Sequence, residues 1–400
     1  MVSGEKMDKE FFTIHDSGLK KNFFICDTTL RDGEQVTGVH YDPKQKLEIA
    51  TLLDKLGIES LDAGFAATSS EERLAIKMIS EAGLKMRVMS MCRVVRADID
   101  HAYSSGANGV ILFIPGSDTH IRAKFGDDIV AERKRLAERS VDCIKYAKDK
   151  GLAVEFGVED SSRTEDDILL WLLATAENAG ADWLGTTDTV GCSTPEKIFC
   201  KTRYLVENLS KPIGVHCHND LGLATANTIA GIRAGAGYVS PTVNGIGERA
   251  GNASLEEVIM SLKVLYNMDV NYDVSYLQTL SGLVEKYSGV KNSPLKAVVG
   301  ENAYSHESGI HIDGMLKDVR TYECFDPAEV GRERRYILGK HIGRNTVRHI
   351  LKMHGYDLTL EDAGCFWSFI RDNEALGERY KMEDIVRLYI NFAGDRNADR

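Results

Sequence analysis

Several functional classes are excluded by what this sequence lacks. Its 400 residues hold 49 lysines and arginines against 60 aspartates and glutamates, a net charge of −11. The basic surface that a nucleic-acid partner requires is therefore missing, although a small polyanion can still bind a local basic patch. No apolar run reaches the roughly 18 residues that a membrane-spanning helix needs. The N-terminus, MVSGEKMDKEFFTIHDSG, is charged and has no apolar segment of the signal-peptide kind. The eight cysteines, at 26, 92, 143, 192, 200, 217, 324 and 365, form no CxxC pair. Zinc ribbons and thioredoxin-type motifs are thus not offered, and reduced thiols in a cytoplasmic protein are expected. No low-complexity tract or long internal repeat stands out.

What is present is a globular balance, 43% apolar and 27% charged, with no signature of disorder. Four hundred residues exceed one ordinary core, so a domain of about 250 residues with a smaller appendage is expected. From residue 22 onward short apolar strands alternate with amphipathic helices. The strands are read as Phe23–Asp27, Ser60–Phe65, Met86–Met91, Gly109–Ile114, Ala153–Val158, Trp183–Asp188, Ile213–His218 and Tyr238–Val243. Helical patterns between them, such as PKQKLEIATLLDKLG and SSEERLAIKMISEAG, each close on a glycine suited to a left-handed cap. Eight such βα units predict a closed TIM (β/α)8 barrel. The alternative is an open Rossmann-like sheet, but no GxGxxG follows the first strand. The predicted division is an N-terminal extension over 1–21, a barrel over 22–288, an irregular linker over 289–335, and a small helical domain over 336–400.

Polar and ionisable residues cluster after nearly every strand: DTTLRDGEQ, CR, PGSD, EDSSR, DTVG, HCHND and NGIGERAGN. Barrel enzymes build their sites from these C-terminal loops. On a strand, residues i and i+2 face the same way, so His216 and His218 share one side. Inside a barrel, such paired imidazoles can ligate a divalent metal, whereas a lone histidine is more often a satisfied core residue. Asp32 after strand one is the leading anionic candidate, and Asn252 after strand eight can supply an amide oxygen. Strands seven, eight and one are neighbours in a closed barrel, so these loops converge. A mixed N/O set suits Zn²⁺, Mg²⁺ or Mn²⁺ alike. Arg31 is placed to hydrogen-bond a carbonyl or developing enolate oxygen; otherwise it is a structural ion-pair partner. The turn NGIGERAGN opens a helix, a position where backbone N–H groups can hold an anion.

DTTLRDGEQ (27–35), HCHNDLGLATAN (216–227), NGIGERAGNASLEEV (244–258) and SHESGIHIDGMLKD (305–318) resemble the isopropylmalate/homocitrate/citramalate synthase family. The resemblance runs from about residue 22 to 350. It implies condensation of acetyl-CoA with a 2-oxo acid, with Asp32, His216, His218 and Asn252 holding the divalent metal. Arg31 would polarise the reacting carbonyl and Gln35 would line the site. His311 matches a residue that helps deprotonate the acetyl methyl group, Glu159 a carboxylate that partners it, and Tyr322 an active-site tyrosine. Because His311 and Tyr322 lie beyond the barrel, a homodimer is implied in which each site is completed by the partner's linker.

The nearest look is to nitrogenase-type homocitrate synthases, through CRVVRADID, ILFIPGSD, VEDSSRTEDD and NGIGERAGN. The chain ends near residue 400, so a C-terminal regulatory domain of the isopropylmalate synthase kind is not expected. The acceptor is expected to be 2-oxoglutarate, giving homocitrate; oxaloacetate, phosphonopyruvate, pyruvate and 2-oxoisovalerate stay open. Lysine-pathway homocitrate synthases carry Arg-Phe-Ser on strand five to hold the distal carboxylate, and here Glu155 and Gly157 stand at those places. Two ionised carboxylates repel, so distal recognition is assigned instead to Arg93, Ser117 and Thr189. A lyase of the 3-hydroxy-3-methylglutaryl-CoA type would carry a cysteine loop near strand eight, which NGIGERAGN is not. A biotin-dependent carboxyltransferase would need a lysine at a strand end, and none is there. A non-catalytic metal-binding scaffold would leave the full ligand set and His311 without a purpose.

Overall fold

Helix starts are written locally. The Asp42 carboxylate accepts from the N–H groups of Lys44 (2.8 Å) and Gln45 (2.9 Å), and the Gln45 side chain accepts from the Asp42 N–H. This capping box, with Pro43 at the first helical position, begins the helix Pro43–Leu56, and Gly57 (φ 99°) ends it. Ser69 and Thr194 cap the helices Ser70–Glu81 and Pro195–Asn208 in the same manner. The computed structural model describes residues 22–337, 343–373 and 382–398; the N-terminal extension read over 1–21 lies outside the described residues.

The strands are β1 (Phe24–Asp27), β2 (Ser60–Asp62), β3 (Arg87–Arg93), β4 (Gly109–Pro115), β5 (Ala153–Glu159), β6 (Trp183–Asp188), β7 (Ile213–Cys217) and β8 (Tyr238–Val239). They are hydrogen-bonded in chain order and close through β1 and β8, where Phe24 pairs with Tyr238 and Ile25 with Val239, all parallel. The predicted TIM barrel is the observed fold. Outward-facing strand residues such as Ile25, Val110, Val154 and Leu184 are fully buried beneath the helices. Each contributes roughly 1.5–3 kcal/mol through that burial.

Two strands are shorter than their apolar runs. Beyond Val239, Pro241 has no N–H to donate, and the chain turns through Val243–Gly245. The Pro241 carbonyl is still used, accepting from the Thr28 N–H at 3.1 Å. After Asp62 the backbone swings through Gly64 at φ 139°, where a Cβ would collide with the Glu72 carboxylate.

The described chain divides into two compact units, one ending at Asn292 and one beginning at Ser293. In the second, the stretch expected to be irregular is partly ordered. Ser305–His306 pairs in parallel with Arg335–Tyr336, and His311 sits on the helix Gly309–Lys317. This unit ends in the helices Arg344–Met353, Leu360–Asn373 and Met382–Ala398, around a core of Val347, Ile350, Leu351, Phe366, Ile370 and Ile385. No described helix is long and apolar enough to cross a membrane.

Candidate active site

A cavity of about 420 Å³ opens at the C-terminal end of the barrel, the end at which barrel enzymes carry their chemistry. Inward-facing positions line it at alternating residues: Glu155, Gly157 and Glu159 on β5, and Gly214 and His216 on β7 with His218 following.

Asp32, His216 and His218 each offer a ligand atom, and all three atoms lie within 4.8 Å of one another. The His216 Nδ1 lies 2.9 Å from the Ser240 carbonyl, which fixes the ring and turns Nε2 toward His218 Nε2 (3.3 Å) and Asp32 (3.6 Å). A backbone carbonyl that accepts from one ring nitrogen orients the other toward a metal in this way. Asn252 reaches the cluster because the loop after β8 folds back on β7: the Ala253 N–H donates to the Cys217 carbonyl and the Asn219 N–H to Gly251. Its Nδ2 donates to Asp32, while its Oδ1, like Nδ1 of His218, is buried without a hydrogen-bond partner. Buried polar atoms rarely stay unpaired. An anionic carboxylate, two facing imidazoles and an orphaned amide oxygen form a donor set that fits a divalent cation.

The electrostatics agree. Burial, then the neighbouring His216 ring, pushes His218 down to about 4, so its imidazole is neutral at pH 7 and has a lone pair free. Burial alone would raise Asp32, but the Arg31 guanidinium and the two imidazoles hold its carboxyl well below the usual range. Arg31 donates from Nη1 to Asp32 (2.8 Å) and from Nε to Asp62 (2.7 Å). Gln35 lies at the edge of that guanidinium, 3.5 Å from Nη1.

Glu159 lines the cavity, where Lys124 donates to it at 2.6 Å. Thr189 also lines it, with its hydroxyl accepting from the Asp160 N–H at 2.8 Å. Arg93 and Ser117 are not among the lining residues. Arg93 is held by Asp98 through two bonds (2.8 and 2.9 Å) and leaves its side chain 61% exposed, so it is not brought to the distal end of the cavity. Ser117 is buried, capping the helix Asp118–Phe125 and bonded to Asp160. His311 and Tyr322 stack on each other in the second unit, ring centroids 4.0 Å apart.

Residues 22–284 match the HMGL-like family. The chain belongs to that family. Residues 298–373 match the homocitrate synthase post-HMGL domain-like family. Homocitrate synthase AksA of Methanopyrus kandleri is 44% identical over 390 residues, 96% of each chain. The (R)-citramalate synthase CimA of Methanocaldococcus jannaschii is 40% identical over 370 residues, 92% of this chain and 74% of that one. Among solved structures, hydroxymethylglutaryl-CoA lyase from Pseudomonas aeruginosa superposes with a TM-score of 0.61 at 17% identity, covering 68% of this chain and 95% of that one, a likeness of fold. This HMGL-like protein is a homocitrate synthase-like condensing enzyme of the acyltransferase class.

Sequence reasoning passed over Asp62, Lys46 and Tyr238 in this HMGL-like site and set Glu155 aside as a carboxylate binder. Asp62, at the end of β2, orients Arg31; its place at a strand end was the available signal. Lys46 is fully buried and donates to the Leu30 carbonyl (3.0 Å) and Glu72 (2.6 Å), tying down the loop that carries Arg31 and Asp32. Its helical spacing shows only that it faces inward. Glu155 and Tyr238 form the inner wall, through neighbours that only barrel closure brings together.

Proposed function

We propose that the protein joins the methyl carbon of acetyl-CoA to the keto carbon of a 2-oxo acid and then releases CoA by thioester hydrolysis, with 2-oxoglutarate as acceptor and homocitrate as product. The convergence of Asp32, His216, His218 and the unpaired Asn252 oxygen in one buried cluster carries the reading. A divalent cation held by these four groups would supply Lewis acidity to the keto carbonyl. Arg31, already oriented by Asp62, donates N–H to the oxygen that gains charge as the C–C bond forms. His311 takes the methyl proton and Glu159 and Tyr322 assist it, roles that rest on the resemblance. Thr189 and Gln35 contact the acceptor. The 44% identity to AksA over 390 residues supports a condensing reaction of the homocitrate synthase kind.

The test is release of free CoA thiol with 2-oxoglutarate, oxaloacetate, phosphonopyruvate, pyruvate and 2-oxoisovalerate, compared as kcat/KM. The expected preference is 2-oxoglutarate. Preference for either monocarboxylate, pyruvate or 2-oxoisovalerate, overturns the dicarboxylate assignment and leaves the reaction type standing.

The proposed homodimer in which a partner supplies His311 makes a second prediction. His216→Ala and His311→Ala should each be inactive. Subunit exchange between them should restore about a quarter to a half of wild-type activity, as the symmetry of a two-site dimer requires. Heterodimers that form and stay inactive place His311 in the service of its own chain.

A further inference from the structure

The inner end of the cavity carries a carboxyl where a substrate carboxylate is expected to bind. Gly157, Gly185 and Gly214 pair side by side on β5, β6 and β7, forming one level without side chains. His216 and Glu159 stand one inward step above that level, and Glu155 stands one step below it, a separation of about 7 Å per step along a strand. The Tyr238 ring fills the space beside Gly214, where any Cβ would collide with it. A Cβ on Gly185 would lie 2.9 Å from the Tyr238 hydroxyl and 3.3 Å from Glu155 Oε1, so these two groups share one spot at the floor. At Gly157, by contrast, a Cβ would meet nothing closer than 3.9 Å. An open slot therefore leads past Gly157 toward Glu155 and Tyr238.

Among the described residues, every cation lining the cavity is already engaged: Arg31 with Asp32 and Asp62, Lys124 with Glu159, and Arg249 with Asp220. A carboxylate tail reaching the floor thus finds a carboxyl group and a phenol.

We propose that Glu155 is the specificity-determining residue that receives the distal end of the 2-oxo acid, binding a carboxylate tail by sharing one proton with it beside the Tyr238 hydroxyl. The proposal rests on the condensing function put forward above and names the substrate contact within it. Two carboxyl groups held close together in a buried site share a single proton because both cannot readily ionise at close range. The surroundings favour that state. Burial pushes Glu155 up to about 7; the Tyr238 hydroxyl opposes the rise, Asp62 adds to it, and Arg31 opposes it. Cys26 on β1 also faces Glu155, whereas Ile111 on β4 and Gly185 on β6 bring no charge to the lining. The repulsion expected from an ionised Glu155 is absent while the proton is present.

Below about pH 7 Glu155 carries the proton before substrate arrives. Above it the proton must be drawn from solution, so apparent affinity for a dianionic 2-oxo acid falls by up to tenfold per pH unit. An acid without a distal charge shows no such loss.

The test measures KM for 2-oxoglutarate and for pyruvate from about pH 6 to 9 in the wild type, Glu155→Gln and Glu155→Arg. In the wild type, KM for 2-oxoglutarate should climb toward tenfold per unit above about pH 7 while KM for pyruvate stays level. Glu155→Gln, whose amide N–H needs no proton, should flatten the profile. Glu155→Arg should flatten it and lower KM for 2-oxoglutarate. Should either variant fail to fold, calorimetry on the wild type in buffers of different ionisation enthalpy reads the same event. Uptake approaching one proton per 2-oxoglutarate near pH 8 is expected, and none overturns the proposal. Equal pH profiles for the two acids, or a profile that Glu155→Gln leaves unchanged, also overturns it. Absence of CoA release with every 2-oxo acid overturns the condensing function itself.

Discussion

His218→Ala should bind Mn²⁺ or Zn²⁺ more than 100-fold more weakly than the wild type at pH 7 and lose CoA release in parallel. Removing a residue that merely orients a metal ligand costs about 10–100-fold in affinity, so removing a ligand sets that as a lower bound. The effect is not confounded by proton competition, because His218 is held down to about 4 and is neutral at pH 7 in the unliganded protein. Metal titration followed by calorimetry checks the affinity, and circular dichroism of the same sample checks that the barrel is intact. Enzyme dialysed against a chelator should lose activity and regain it when metal is returned. Full turnover in metal-free protein would sink the assignment of Asp32, His216, His218 and Asn252 as ligands.

How far this site could be read in advance depended on whether each contact was local or made by closure of the barrel. The period-two side-chain pattern gave His216 and His218 a common face, and strand adjacency brought Asp32 and Asn252 to them; both arguments need only sequence order and the rule of parallel closure. Arg93 shows where that reasoning stopped. It ends β3 as a site residue should, but Asp98, five residues on in the helix Arg96–Ser104, captures its guanidinium. Ser117 was open to a better reading. A serine immediately before a helix is a cap first, and its hydroxyl accepts from the His120 N–H at 3.2 Å. Glu155 was set aside because an ionised carboxylate repels another. Its burial among Cys26, Asp62 and Tyr238 depends on β1, β2 and β8 meeting β5 across the interior, which no pattern along β5 records. The early end of β8 was, by contrast, visible in Pro241.

Arg31→Ala should lower kcat by about 10²–10³, the loss typical of removing one positioned donor to a developing oxyanion, and should also destabilise the fold. Arg31 is 16% exposed in its side chain and bonds two carboxylates, of which Asp62 is 2% exposed. Removing one member of such a buried set typically costs about 3–5 kcal/mol, since the remaining charge is left without compensation. The pH dependence identifies which carboxylate suffers. Burial already raises Asp62 above the ordinary carboxylate range, and the Arg31 guanidinium is the main influence that opposes the rise. Without Arg31 that rise goes further. A carboxyl raised in the folded state keeps its full stability below its unfolded value and loses it as pH climbs through the folded one. The deficit of Arg31→Ala relative to wild type should therefore be small at about pH 5 and larger at about pH 8. Urea unfolding at both values measures it. A deficit that does not change with pH removes Asp62 as the charge left exposed to the interior. Arg31→Lys separates the two roles, since a lysine keeps the charge but not the planar fork that reaches Asp32 and Asp62 together. It should recover most of the stability at about pH 8 and little of the kcat.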